Sequence, residues 1–158
     1  MIENNNKIPT FTAINEDEEI ITQDFFLKKA FILFFYPRDD TPGCTIETKE
    51  FSFHNTQFLS LGIELYGVSK DDQNSHKKFK NKYNLNVNLL YDHEGLMCDN
   101  FKVWKTKQMY GKKFQGIERS TFLINRGGEI VEAWRKVKVD GHVQEVLSKV
   151  KELSLIHI

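Results

Sequence analysis

The stretch "AFILFFYPRDDTPGCTIETKEF", Ala30 to Phe51, decides how this chain is read. It opens on an unbroken apolar, β-rich run, Ala30–Tyr36, closed by Pro37. Such a run predicts a central strand buried on both faces. Thr41-Pro42-Gly43 follows, and then a helical stretch to about Ser60. Proline suits a helix start, where its missing N–H costs nothing. Glu47 and Glu50 in the early turns suit the macrodipole. Cys44 is thereby set in the first turn of a helix that follows a buried strand.

Working outward, residues 1–16 read as an extended polar lead-in and "EEIIT" (Glu18–Thr22) as a short strand. "IELYGVS" (Ile63–Ser69) is the next strand. "DDQNSHKKFKNKY" (Asp71–Tyr83) opens with cap residues and places Ser75, Phe79 and Tyr83 on one helical face. "NLLYD" (Asn88–Asp92) reads as a strand and "GLMCDNF" (Gly95–Phe101) as a short helix. Residues 102–116 read as a loop with a turn at "GKK". "RSTFLIN" (Arg119–Asn125) and "EIVEAWRKV" (Glu129–Val137) form a hairpin around Gly127-Gly128. "DGHVQEVLSKVKEL" (Asp140–Leu153) is a closing amphipathic helix, and "SLIHI" is left unassigned. Strands separated by helices call for an α/β fold with a parallel sheet, to which the late hairpin adds an antiparallel part.

The bounds agree with one domain over residues 1–158. The length allows a sizeable core and is short for two domains. Apolar residues make up 40% and charged residues 28%, an ordinary balance for a soluble globular protein. Lys plus Arg equals Asp plus Glu, 22 each, so no charge excess marks a nucleic-acid or anionic-membrane partner. No secretory signal or membrane-span-length apolar run is present, and two cysteines make no disulfide framework. A reducing cytoplasm is the expected compartment.

Two readings of Cys44 stand side by side. Cys44, Phe51 and Phe58 are seven residues apart and share a helical face, which suits a plain core cysteine. Against this, α/β sheets place their sites where strands end, and unpaired N–H groups at a helix start favour a thiolate. At a pKa of about 8.5 only about 3% of a thiol is ionised at pH 7. Lowering that to about 6 takes about 3.4 kcal/mol of differential stabilisation. A helix terminus supplies about 0.3–1 kcal/mol, so a fixed cation is needed as well. Arg38, on the same loop, and Arg119, at the start of an inner strand, are the candidates.

The neighbours exclude other cysteine chemistries. A thioredoxin-type dithiol needs a cysteine where Glu47 stands, and a cysteine-phosphatase loop needs an arginine where Glu50 stands. The five histidines, His54, His76, His93, His142 and His157, are scattered and read as surface or satisfied packing residues. Neither a zinc-ligand cluster nor a haem, nucleotide or phosphate-loop signature is present, so no metal or organic cofactor is expected.

"FFYPRDDTPGCTIE" resembles the active-site loop of the peroxiredoxins, in particular the bacterioferritin-comigratory-protein, or PrxQ, branch. "GVSKDDQNSHKKF", "LLYDHEG", "MYGKKFQGIERSTFLIN" and "WRKVKVDGH" extend the resemblance from about Pro9 to Leu153. It implies a thioredoxin-like fold with a central mixed sheet flanked by helices. It also implies a thiol peroxidase that reduces hydrogen peroxide and organic hydroperoxides. Cys44 would be the peroxidatic cysteine and pass through a sulfenic acid. Thr41 would hydrogen-bond the peroxide, Arg119 would stabilise the thiolate and hold the peroxide oxygens, and Pro42 would cover the pocket. Glu47 would orient the arginine, or be only a helix N-terminal acid; Thr41 could likewise be only a cap.

One departure bears on mechanism. Many members of this branch carry a resolving cysteine five residues after the first, where this chain has Lys49, or in the following helix near Lys80. Cys98, beside Met97, reads as a buried helix cysteine, with an unusual resolver as the alternative. A one-cysteine mechanism is therefore expected, in which glutathione or another small thiol, thioredoxin or glutaredoxin reduces the sulfenic acid. The chain would act as a monomer or weak homodimer. A thioredoxin-fold redox sensor or protein-binding module without turnover is the competing reading.

Overall fold

The first strand of the apolar run, Ala30–Phe35, is buried at all six positions and divides the molecule in two. Phe31, Leu33 and Phe35 point into one core, with Tyr66, Val68, Leu90, Phe101 and Phe122. Ile32, Phe34 and the following Tyr36 point into the other, with Phe51, Phe58, Leu65, Phe79 and Leu123. This is the period-two alternation of a strand with a core on each side. Burying each large side chain contributes about 1.5–3 kcal/mol, so a polar substitution anywhere along it removes support from one layer.

The structure is a computed structural model that describes residues 6–154. In chain order the strands are β1 (Asn6–Lys7), β2 (Thr12–Ile14), β3 (Ile20–Thr22), β4 (Ala30–Phe35), β5 (Ile63–Ser69) and β6 (Asn88–Tyr91). They continue with β7 (Trp104–Met109), β8 (Lys112–Ile117), β9 (Ser120–Ile124) and β10 (Glu129–Trp134). The helices are α1 (Pro42–Phe53), α2 (Asn55–Ser60), α3 (Gln73–Tyr83), α4 (Leu96–Asn100) and α5 (His142–Ser154). An eight-stranded sheet runs β1-β10-β9-β4-β5-β6-β2-β3. β4, β5 and β6 are parallel, while β9 lies antiparallel to β4 and β10 antiparallel to β9. This is the mixed α/β sheet that the sequence predicts.

Three local readings are corrected. The polar lead-in holds two short strands: β1 at one edge of the sheet, and β2 between β6 and the edge strand β3 on the other side; residues 1–5 lie outside the described residues. The helix expected to run to Ser60 breaks at His54 into α1 and α2. There Ser52 and Asn55 turn their side chains to the Asn86 side chain and carbonyl, and His54 bonds Gln57. Residues 102–116, read as a loop, contain most of a two-stranded ribbon, β7–β8. Its tip is Tyr110-Gly111, with φ of 53° and 77°, the pair of left-handed residues that a two-residue hairpin loop requires. Of the unassigned tail, Ser154 ends α5 and the remaining residues lie outside the described ones. Among the described residues, no helix is long and apolar enough to cross a membrane.

Candidate active site

Antiparallel pairing of β9 with β4 assembles the site. Phe35, at the end of β4, pairs with Ser120, at the start of β9. The chain leaving β4 therefore passes beside the chain entering β9, and Arg119 arrives next to the first turn of α1. Its Nη2 lies 3.4 Å from Cys44 Sγ, and its Nη1 donates to Glu47 Oε1 at 2.7 Å. Of the two candidate cations, Arg119 is the one at the sulfur; Arg38 is exposed. One planar fork thus serves both groups, which a lysine could not do.

Cys44 is 1% exposed and packs with Phe51 and Phe58 in the core. Its two readings are not exclusive: the helical face that buries it also presents it to the guanidinium. Glu47 is fully buried. Burial pushes its carboxyl up to about 7, against the pull of Arg119. Burial also works against the charge of Arg119, but Glu47 and Cys44 together outweigh it and raise its pKa above the ordinary value. Glu47 Oε2 is buried without a hydrogen-bond partner among the described residues.

Thr41 occupies the N-cap position of α1, yet its side chain makes no capping bond. Its hydroxyl instead donates to the Arg38 carbonyl at 2.9 Å. Pro42 takes the first helical position and is exposed. A Cβ built on Gly43 would come within 3.2 Å of Arg119 Nη2, so the glycine lets the guanidinium lie against the helix start.

A buried network beneath this loop escapes sequence reasoning. Tyr36 donates to Asp39 Oδ1 at 2.6 Å, while Ser75 and His76 Nδ1 meet Asp39 Oδ2 at 2.8 and 2.7 Å. His76 Nε2 reaches the Leu90 carbonyl at 3.1 Å; a carbonyl only accepts, so that nitrogen carries a proton. The Asp39 N–H donates to Asp71 Oδ2 at 2.8 Å. The loop between β4 and α1 is thereby tied to β5, α3 and β6. His142 is also buried, bonds Thr121 at 2.8 Å, and is lowered to about 4 by burial and then by Arg119. The only sequence signal for either histidine is its place in an otherwise amphipathic helix.

Cys98 is brought nowhere near this constellation. It packs in the core on the other face of the sheet, with Met97, Phe101 and Val103. Its backbone N–H donates to the buried Asp92 carboxylate at 2.9 Å. Burial, and then the Asp92 charge, push its thiol well above the ordinary range.

An arginine at the entry to β9, forked between a buried thiol and a buried glutamate at the carboxyl end of a central parallel strand, defines a thiol-chemistry site on an α/β scaffold. Residues 5–133 match the model of the AhpC/TSA family, and the chain belongs to that family, the peroxiredoxins. Its likeness is to the bacterioferritin-comigratory-protein, or PrxQ, branch. It is 45% identical to the putative peroxiredoxin bcp of Coxiella burnetii, over 94% of this chain and 98% of that one. It is 42% identical to peroxiredoxin Bcp of Bacillus subtilis, over 97% and 98%. Among solved structures, a cysteine-to-serine mutant of Xylella fastidiosa PrxQ superposes with a TM-score of 0.90 at 36% identity, covering 96% of this chain and 97% of that one. A structure of the Xanthomonas campestris bacterioferritin comigratory protein, from work on its alkyl peroxide reduction, gives 0.85 at 38%, covering 91% and 92%. The chain is thus a thiol-dependent peroxidase with a thioredoxin-like fold, and the reading as a binding module without turnover is set aside.

Proposed function

We propose that Cys44 is the peroxidatic cysteine, acting on hydrogen peroxide and organic hydroperoxides by a one-cysteine mechanism. The observation that carries this reading is the Arg119 fork, 3.4 Å from Cys44 Sγ and 2.7 Å from Glu47. The Cys44 thiolate attacks the nearer peroxide oxygen. The S–O bond forms as the O–O bond breaks, and the departing oxygen leaves as water or an alcohol after taking a proton. The Arg119 N–H groups face the region where negative charge passes from sulfur to the leaving oxygen, where fixed donors have most effect. The Thr41 hydroxyl hydrogen is committed to the Arg38 carbonyl, so the oxygen lone pairs stay free to accept from a peroxide O–H. Pro42 shields the approach, and Glu47 is a positioning residue that holds the guanidinium.

The resulting sulfenic acid is reduced by an external thiol, whether a small molecule, thioredoxin or glutaredoxin, in a reducing cytoplasm. Both cysteines are free, and the second lies behind the sheet, which supports this half of the reading. The test is intact-protein mass after one equivalent of hydrogen peroxide, with and without a sulfenic-acid trap. One adduct on Cys44, with Cys98 still free, is expected. Loss of both thiols without an adduct would make Cys98 the resolver. Peroxide turnover undiminished in Cys44→Ser would remove the assignment.

A further inference from the structure

Beside the start of α1 lies a cavity of about 420 Å³ between the loop after β4 and the β7–β8 ribbon. Arg38, Lys70 and Lys107 line it, with Thr41 at the catalytic end and the rings of Trp104 and Phe114 in its wall. No carboxylate lines it. None of the three cations makes an ion pair with a carboxylate among the described residues. Lys70 Nζ instead sits 4.5 Å from the centre of the Trp104 ring. Lys107 is half-buried, and its ammonium is destabilised by burial and by the neighbouring Arg119 charge, while the Cys44 and Glu118 charges oppose that shift without an ion pair forming. In a chain with 22 basic and 22 acidic residues, three unpaired cations on one concave surface are a local segregation of charge. Gathering like charges costs free energy that an anionic ligand would offset.

We propose that this cavity is the docking subsite for the reductant, and that the reductant is a small thiol bearing carboxylates. The inference rests on the one-cysteine reading above. A peroxide needs only Cys44, Thr41 and Arg119, whereas an external thiol must be held while its sulfur reaches Cys44. The volume falls within the range of small-molecule sites. The aromatic wall offers apolar contact for the body of a short peptide thiol, and the cations would take its carboxylates. The first thiol attacks the sulfenic sulfur, forming a mixed disulfide and releasing the oxygen as water. A second molecule of the same thiol attacks the mixed disulfide at the small-molecule sulfur, regenerates the Cys44 thiol and leaves as the small-molecule disulfide. Two thiols supply the two electrons.

The test is stopped-flow reduction of the preformed Cys44 sulfenic acid by glutathione, its diethyl ester and 2-mercaptoethanol, at low and high salt. Each rate is divided by the same protein's rate with 2-mercaptoethanol. Glutathione is expected to exceed its ester by about tenfold at low salt, as for a few exposed ion pairs acting together. That advantage should shrink in high salt, vanish in Lys70→Gln/Lys107→Gln and invert in Lys70→Glu/Lys107→Glu. Equal rates for acid and ester, or an advantage that survives both double variants, would overturn the subsite. The oxidation step is read with a carboxylate-bearing hydroperoxide and its methyl ester. A carboxylate preference there, and none in reduction, would give the cations to the peroxide and overturn the reductant assignment. A sulfenic acid that no added thiol reduces would instead sink the one-cysteine reading, and the subsite with it.

Discussion

Cys44 and Cys98 are both buried, and the eight-stranded sheet lies between them. A disulfide needs its two Cα atoms within about 7 Å, so joining these would require a strand or helix to leave its core. Peroxide-treated protein is therefore expected to contain no Cys44–Cys98 bridge, and Cys98→Ser should oxidise at Cys44 at the wild-type single-turnover rate. Peptide mapping of the oxidised protein and single-turnover mass spectrometry check this.

Arg119 has two tasks at once, and they separate by substitution. Arg119→Lys keeps a charge but loses the fork that reaches both Cys44 and Glu47. Peroxide kcat/KM is expected to fall by about 100-fold or more, as when a fixed donor to developing charge is removed. A lysine variant retaining most of the wild-type rate in pre-steady-state kinetics would show that charge alone suffices.

Glu47 imposes a pH signature on stability. Its carboxyl is raised by burial to about 7 in the fold, against an ordinary 4.5. The folded state thus holds a proton that the unfolded chain releases, and stability falls as pH rises from about 4.5 to about 7. The contribution is fully present below the lower value and lost through the upper one. Glu47→Gln removes this slope. Urea unfolding of both proteins at pH 5 and pH 7.5 should show the variant gaining on wild type at the higher pH; parallel curves would mean Glu47 does not titrate there.

Gly43 is expected to matter for rate more than for folding. In Gly43→Ala the new methyl meets the Arg119 guanidinium at 3.2 Å and must push it aside. Alanine also favours a helix. Peroxide reactivity should drop about tenfold, as for a misplaced catalytic group, with the thermal midpoint unchanged or higher. A variant with wild-type reactivity would mean the guanidinium shifts without consequence.

The loop that carries the site is pinned from below. His76→Leu leaves the buried Asp39 carboxylate with only its Tyr36 and Ser75 hydroxyl donors. Leaving a buried acceptor short of a hydrogen-bond donor costs about 1–3 kcal/mol. The variant should lose stability on that scale in denaturant titration, and peroxide reactivity should fall although His76 touches neither Cys44 nor Arg119. Unchanged stability would show that solvent replaces the imidazole.

What was legible in the sequence followed from local pattern. The Ala30–Tyr36 run announced a strand with two cores, and Thr-Pro-Gly-Cys announced a helix start at its end. The β7–β8 ribbon was illegible because, among the described residues, its strands pair only with each other. With Lys105, Thr106, Gln108 and Met109 exposed, no buried face imposes the period-two pattern of a strand. The break at His54 depends on Asn86, more than thirty residues away, and no proline or glycine marks it. The Tyr36–Asp39–His76–Leu90 network joins three separate segments of chain, so no spacing foretells it. The Arg119 position was legible only as a charge at the start of an inner strand; the register of β9 on β4 explains its arrival at Cys44.

The two-sided burial of β4 also sets a boundary on motion. Its backbone is bonded on both edges and covered on both faces, so its amide hydrogens should exchange with solvent only through global unfolding. The segment from Pro37 onward hangs from that slowest-exchanging strand. Any local opening around Cys44 should therefore end at the buried Tyr36 and leave the β4 amides protected. Exchange should thus divide sharply at this point, slowest along Ala30–Phe35 and faster from Pro37 onward.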